Sequence, residues 1–120
     1  MHRKYGSSLK GIFLTHAHIG HVDGLGLFGK ERVRNTPICE SAIIEIAMGL
    51  SICNRKSIVE LQFSDFITSG FNPVVNYLAK VHYRWGQNAD VVLRMPCGAG
   101  VGAGPFHSQT NEAWFTKTPG

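Results

Sequence analysis

One acidic side chain, Glu40, stands between a proline-containing segment and a run of apolar residues. Residues 40–50 leave almost no polar face, a pattern that predicts a helix enclosed by protein on all sides. Burial at the start of such a helix would disfavour the charged carboxylate, so Glu40 could donate or accept a proton near neutral pH. The alternative is an acidic residue in a first helical turn, where the helix dipole stabilises negative charge. Spacing alone leaves both interpretations open.

Three histidines, His16, His18 and His21, follow a strand-like apolar run at residues 11–15. Neutral imidazoles spaced in this way on a loop can converge on a divalent ion such as Zn²⁺. Residues 9–31 resemble the metal-binding turn of the metallo-β-lactamase superfamily, with the pattern His-x-His-x-Asp-His. Gly20 stands at the Asp position, which removes a second-metal ligand. The alternatives are a metal-dependent hydrolase using these histidines and a relic or structural loop.

A further candidate is His107, which comes just after the glycine-rich loop at residues 98–104. Imidazole titrates near neutral pH, so this histidine could be either a loop residue or a catalytic proton carrier. The loop meets only the loosest form of a dinucleotide-binding fingerprint, and Pro105 follows where that fingerprint requires a helix. A flexible loop that lets the backbone approach a ligand is the better interpretation.

Two apolar runs, at residues 58–63 and 91–95, predict buried strands. Ligands of open α/β sheets bind outside the carboxyl ends of the strands. Gln62, Asp65 and Phe66 therefore fall where a site would form, although plain core packing would equally explain Phe66.

Between these strands, residues 72–85 predict a helix with Asn72 as its N-cap and Pro73 at its first position. Gly86 is expected to end it. His82 and Trp85 lie on its apolar stripe, which predicts packed rather than exposed side chains.

Five sequence segments carry a further resemblance, and they occur in this order: ERVRNTPICE at 31–40, IVELQFSDF at 58–66, NPVVNYLAK at 72–80, YRWGQ at 83–87 and PFHSQ at 105–109. From about residue 27 to residue 120 the chain resembles the β subunit of the thiamine-diphosphate-dependent component of 2-oxo-acid dehydrogenases. The pyruvate and branched-chain types both remain open. The resemblance implies an α/β fold, a partial three-layer parallel sheet with helices on both faces, corresponding to a truncated pyrimidine-binding domain.

The resemblance also implies roles for individual residues. Glu40 would hydrogen-bond ring nitrogen N1′ of thiamine diphosphate, and Ile38, Gln62 and Phe66 would contact the aminopyrimidine. Phe66 replaces a Tyr found in some relatives, which should preserve stacking but lose a hydroxyl. His107 would help to handle the reaction intermediate and its transfer to lipoamide.

The same resemblance implies partner chains. An α subunit would hold the diphosphate through Mg²⁺, and a lipoyl-bearing acyltransferase would receive the acyl group. The chain is expected to be inactive by itself, because it lacks the remainder of the family's β subunit. A non-catalytic assembly module, with the helix at 72–85 as its contact face, is a third alternative.

The two resemblances predict a division into residues 1–26, metallo-β-lactamase-like, and residues 27–120, the partial pyrimidine-binding domain. They meet near residues 27–31, as in a chimera. The apolar run at 11–15 could then replace a missing strand, because a parallel sheet accepts many apolar sequences there.

Composition adds weaker constraints. The 120 residues suffice for one domain, and no apolar segment predicts a signal peptide or a membrane span. Residues 1–34 hold six Lys and Arg against Asp23 and Glu31, while the rest of the chain is neutral, so we expect no nucleic-acid partner. An odd number of cysteines without a CxxC pair favours a reducing, cytoplasmic location.

Overall fold

The structure, a computed structural model, describes residues 9–14 and 30–119. Within these two ranges, four parallel strands form one sheet in the order β2-β1-β3-β4. Their bounds are Leu9–Leu14 for β1, Val33–Asn35 for β2, Lys56–Glu60 for β3 and Val91–Arg94 for β4. The predicted α/β class with a parallel sheet is therefore confirmed, as are the strands expected near 58–63 and 91–95.

The strand predicted at residues 11–15 is present as β1, one to two residues earlier than expected. It lies between β2 and β3, with Ile12 opposite Val33 on one side and Ile58 on the other. Ile12 is only 3% exposed. An apolar strand is needed at this interior position of a parallel sheet, and the sequence supplies one.

Helix α1 spans Glu40–Ile52 and ends in a left-handed turn at Asn54, whose φ is 57°. The Arg55 amide donates to the carbonyl of Leu50, a common way to satisfy the last helical carbonyls. The prediction that this helix is enclosed on all sides is wrong, because Ile46 is 52% exposed. Only one face of α1 packs on β3 and on the next helical segment, so apolar side chains on the other face meet solvent.

The second helical region is one continuous run of α2 (Ile67–Asn72), a π-helical segment (Pro73–Leu78) and α3 (Ala79–Trp85). The predicted start at Asn72 is wrong, because its φ and ψ of −59° and −49° are helical. Pro73 lacks an amide proton and its ring crowds the preceding turn, and the wider π-helical turn occurs where it stands. Gly86, with φ of 66°, ends the run as predicted.

The two side chains predicted to pack on the apolar stripe of α3 do not do so. Trp85 is 62% exposed, with the Arg84 guanidinium 4.7 Å from its ring centroid. His82 is also exposed, and its Nδ1 lies 3.1 Å from the carbonyl oxygen of Gln87. Val81 is the buried residue of this helix, and the packing that covers it includes neither the adjacent His82 nor Trp85 at the helix end.

The hydrophobic core lies between α1, β3 and α2. Its buried members are Ile43, Ile44, Ala47, Val59, Leu61 and Ile67. Within the described residues, none of the helices has the length and hydropathy needed to cross a bilayer.

Candidate functional site

The candidate site lies at the edge of the sheet where the strands end. Glu40 comes five residues after β2, Phe66 follows β3, and His107 lies in the segment after β4. Because all four strands are parallel, their carboxyl ends meet at one edge, and loops after them converge there. The topology therefore brings together segments that are far apart in the sequence.

Glu40 is the first residue of α1 and is 8% exposed. It thus stands in a first helical turn, where the helix dipole favours negative charge, and it is also shielded from water, while its role in proton transfer stays a prediction. Its Oε2 accepts a hydrogen bond of 3.0 Å from the Ser69 hydroxyl. The described residues place no cation within ion-pair distance of this carboxylate. Glu40 is therefore a buried acid held by a neutral donor.

Ser69 reaches Glu40 because α2 approaches α1 very closely. A Cβ atom at Gly70 would stand 2.5 Å from Ile44 Cδ1 and 3.7 Å from the carbonyl carbon of Glu40. Only glycine permits this approach without displacing the core. The Ser69 hydroxyl also lies 3.1 Å from the carbonyl oxygen of Phe66.

The rings of Phe63, Phe66 and His107 form an aromatic cluster next to the Ser69 contact. The His107 ring stacks on Phe63, with centroids 4.9 Å apart and planes 5° from parallel, and meets the edge of Phe66 at 5.2 Å. His107 Nδ1 is within hydrogen-bond distance of the Phe106 carbonyl oxygen. If Nδ1 donates to that carbonyl, Nε2 of the neutral imidazole is the nitrogen that can accept a proton.

Buried polar contacts hold the His107 segment against the turn after β3. Ser64 Oγ donates to the Gln109 carbonyl at 2.6 Å, and Asn111 Nδ2 donates to the Ser64 carbonyl at 3.0 Å. The Gln109 amide lies 3.4 Å from Asp65 Oδ1. Sequence reasoning missed Ser64, Ser69 and Asn111, because each acts across a long sequence separation. The polar residues just after a buried strand were the available signal for Ser64.

The other predicted site residues lie nearby without a described side-chain contact to Glu40. Gln62 is half-buried two residues beyond β3, and Ile38 is 77% exposed just before α1. The structure thus links Glu40, Phe66 and His107 through Ser69, while Ile38 and Gln62 are not part of that chain of contacts.

The predicted metal ligands His16, His18 and His21 lie outside the described residues. Among the residues that the structure does describe, no group of three or more His, Cys, Asp or Glu side chains could hold a metal ion. The zinc prediction therefore stays a prediction.

The glycine-rich segment does not form a dinucleotide-binding turn, as predicted, and its approach to a ligand stays a prediction. Gly98, Gly102 and Gly104 have positive φ, and short 3₁₀ turns follow rather than the helix that a dinucleotide fingerprint requires.

The fold is an α/β domain whose candidate site lies at the carboxyl edge of a parallel sheet. Residues 6–120 match the family described as transketolase, pyrimidine binding domain, and the chain belongs to this family. The matched range includes β1 and extends across the predicted boundary at residues 26 and 27, but the division into two parts stays a prediction.

Individual relatives are β subunits of 2-oxo-acid dehydrogenases. The chain is 42% identical over 96 residues to the 2-oxoisovalerate dehydrogenase subunit beta 2 of Arabidopsis thaliana, covering 78% of this chain and 27% of that protein. The corresponding subunit beta of Bacillus subtilis is 40% identical over 95 residues, covering 78% and 29%. The pyruvate dehydrogenase E1 component subunit beta of Leifsonia xyli is 37% identical over 95 residues, covering 78% and 28%. The predicted resemblance to 2-oxo-acid dehydrogenase β subunits is confirmed, whereas the metallo-β-lactamase resemblance of residues 9–31 stays a prediction. The chain spans less than a third of these relatives' length.

Proposed function

We propose that this chain contributes the aminopyrimidine-binding side of a thiamine diphosphate site in a 2-oxo-acid dehydrogenase. The observation that carries the proposal is the burial of Glu40 at the strand-end edge, in a chain of the pyrimidine-binding family. A desolvated carboxyl group with one neutral hydrogen-bond donor suits a partner that itself exchanges a proton.

The residues present fit such a ligand. The described residues give Glu40 a hydrogen bond at Oε2 only, so Oε1 can meet a ring nitrogen. Phe66, Gln62 and the exposed Ile38 offer apolar and polar contacts for a planar heterocycle. When bound, thiamine diphosphate would supply the nucleophile and the electron sink that decarboxylation of a 2-oxo acid requires.

Within this scheme the chain's own residues orient a ring and move protons. Glu40 shares a proton with ring nitrogen N1′, and its burial keeps bulk water from competing for that proton. His107, kept at the site by its stack on Phe63, uses Nε2 to assist acyl transfer to lipoamide. Mg²⁺ and the diphosphate belong to the partner α subunit in this proposal, and the lipoyl-bearing acyltransferase receives the acyl group.

The proposal includes inactivity of the chain by itself, because it spans less than a third of its relatives. Turnover is therefore measured after residues 30–119 replace the matching segment of the Bacillus subtilis β subunit, assembled with its α subunit. Glu40→Gln should reduce turnover at least about a hundredfold, since general acid–base catalysis contributes about 10²–10⁴.

Glu45→Gln is the matched control, because Glu45 lies on the same helix and is exposed. It should leave turnover unchanged. Assembly is checked by size-exclusion chromatography in both variants. Near-normal turnover in a correctly assembled Glu40→Gln enzyme would remove Glu40 from this role.

A further inference from the structure

The Ser69 hydroxyl lies between two acceptors. It is 3.0 Å from Glu40 Oε2, on another helix, and 3.1 Å from the carbonyl oxygen of Phe66, the residue just before α2. A serine hydroxyl carries one proton, so it donates fully to only one acceptor at a time. The two acceptors differ in kind, since one can be ionised and the other cannot.

The position of Ser69 is set by the core rather than by a loop. Its neighbours Ile67 and Gly70 are both buried, and Ile67 packs in the same cluster as Ile44 of α1. The close approach at Gly70 fixes the spacing between α1 and α2. The hydroxyl is therefore held next to Glu40 by rigid elements, as required of a group that orients a reacting side chain.

We propose that Ser69 is a positioning residue for Glu40, an inference that rests on the proposed function of the site. While Glu40 is ionised, Ser69 donates to Oε2 and holds the carboxylate so that Oε1 is presented to the ring nitrogen. When Glu40 carries the shared proton on Oε1, Ser69 still donates to Oε2, so the carboxyl group keeps its orientation in both protonation states.

The test uses the assembled enzyme carrying residues 30–119, with Ser69→Ala, Ser69→Thr and Thr68→Ala. Thr68 is the matched control, because it is exposed on the same helix and its hydroxyl donates to the Asp65 carbonyl, also three residues back. Calorimetry with thiamine diphosphate and Mg²⁺ should show Kd raised about tenfold in Ser69→Ala, from loss of a charge-assisted hydrogen bond. Ser69→Thr keeps the hydroxyl and should restore Kd to within about threefold, and Thr68→Ala should leave it unchanged.

A second readout does not depend on the coenzyme. In the 120-residue chain with ¹³C-labelled glutamate, the carboxyl resonance of Glu40 should move in Ser69→Ala and stay in place in Thr68→Ala. A merely structural role for Ser69 would not move this resonance selectively. Unchanged Kd and an unchanged Glu40 resonance in Ser69→Ala would overturn the inference.

Failure of the inference and failure of the proposed function are distinguishable. If Glu40→Gln abolishes turnover while Ser69→Ala behaves like the parent enzyme, only the role of Ser69 is wrong. If Glu40→Gln keeps near-normal turnover and coenzyme binding, the proposed function is wrong, and with it the purpose assigned to Ser69.

Discussion

Asn111 Nδ2 donates a hydrogen bond of 3.0 Å to the carbonyl oxygen of Ser64, 47 residues earlier in the chain. Both residues are buried, Asn111 at 6% exposure and Ser64 at 5%. Ser64 in turn donates to the Gln109 carbonyl. These two hydrogen bonds of Ser64 join the segment that carries His107 to the turn that carries Phe66. They therefore hold the His107 ring against the phenylalanine rings of the aromatic cluster.

Asn111→Ala should therefore destabilise the chain by about 1–3 kcal/mol, since it leaves a buried carbonyl without its donor. The free energy of unfolding is measured by urea denaturation of the 120-residue chain. Asn88→Ala, at an exposed position, is the control and should change stability by less than about 0.5 kcal/mol. Equal effects of the two substitutions would contradict the structural importance of the Asn111 bond.

Gly70→Ala should destabilise the chain by about 1–3 kcal/mol, because the new methyl group would overlap Ile44 Cδ1. Adding Ile44→Val removes that atom and should recover part of the loss. Gly49→Ala is a control of opposite sign, because Gly49 lies in α1 with open space around its Cβ position and alanine favours helix. A thermal melt that shows Gly70→Ala as stable as the parent would mean that the two helices are less closely packed than described.

Ser51→Ala should lower the free energy of unfolding by about 1–3 kcal/mol, because the buried Ser51 Oγ accepts a 2.6 Å hydrogen bond from the amide of Asp90, just before β4. Lys56→Ala removes a different contact of Asp90, the 2.6 Å ion pair between Lys56 Nζ and Asp90 Oδ2. The two side chains are 49% and 43% exposed. Solvent screens that pair, so we expect a loss below about 1 kcal/mol that shrinks further in high salt. Urea denaturation at two salt concentrations measures the free energy of unfolding of both variants. A larger loss of stability in Lys56→Ala than in Ser51→Ala would contradict this prediction.

His107→Phe keeps a ring that can stack on Phe63 and removes the nitrogen that handles protons. In the assembled enzyme we expect coenzyme Kd to stay within about threefold and acyl transfer to fall at least about tenfold. His82→Phe, at an exposed histidine of α3, should leave both quantities unchanged. An active His107→Phe enzyme would show that this histidine only packs.

Patterns local in sequence predicted much of the fold. Apolar runs marked β1, β3 and β4, and Gly86 marked a helix end, because each depends on a few neighbouring residues. Local signals predict a helix start at Pro73, but in the structure Pro73 lies inside a continuous helical run. The helix α2, which packs on α1, ends directly before Pro73, and the helical conformation continues past the proline. This continuation depends on the packing of α2 on α1, which residues near Pro73 do not predict.

What the sequence by itself determined is the family, the parallel α/β class and the candidate acid, Glu40, because ordered motifs and hydrophobic runs are properties of the chain alone. Only the tertiary structure decided which side chains meet Glu40 and which apolar residues stay exposed. Ser69 lies 29 residues from Glu40, and Asn111 lies 47 from Ser64. Such contacts depend on how closely packed elements approach, which Gly70 and the sheet order set in three dimensions.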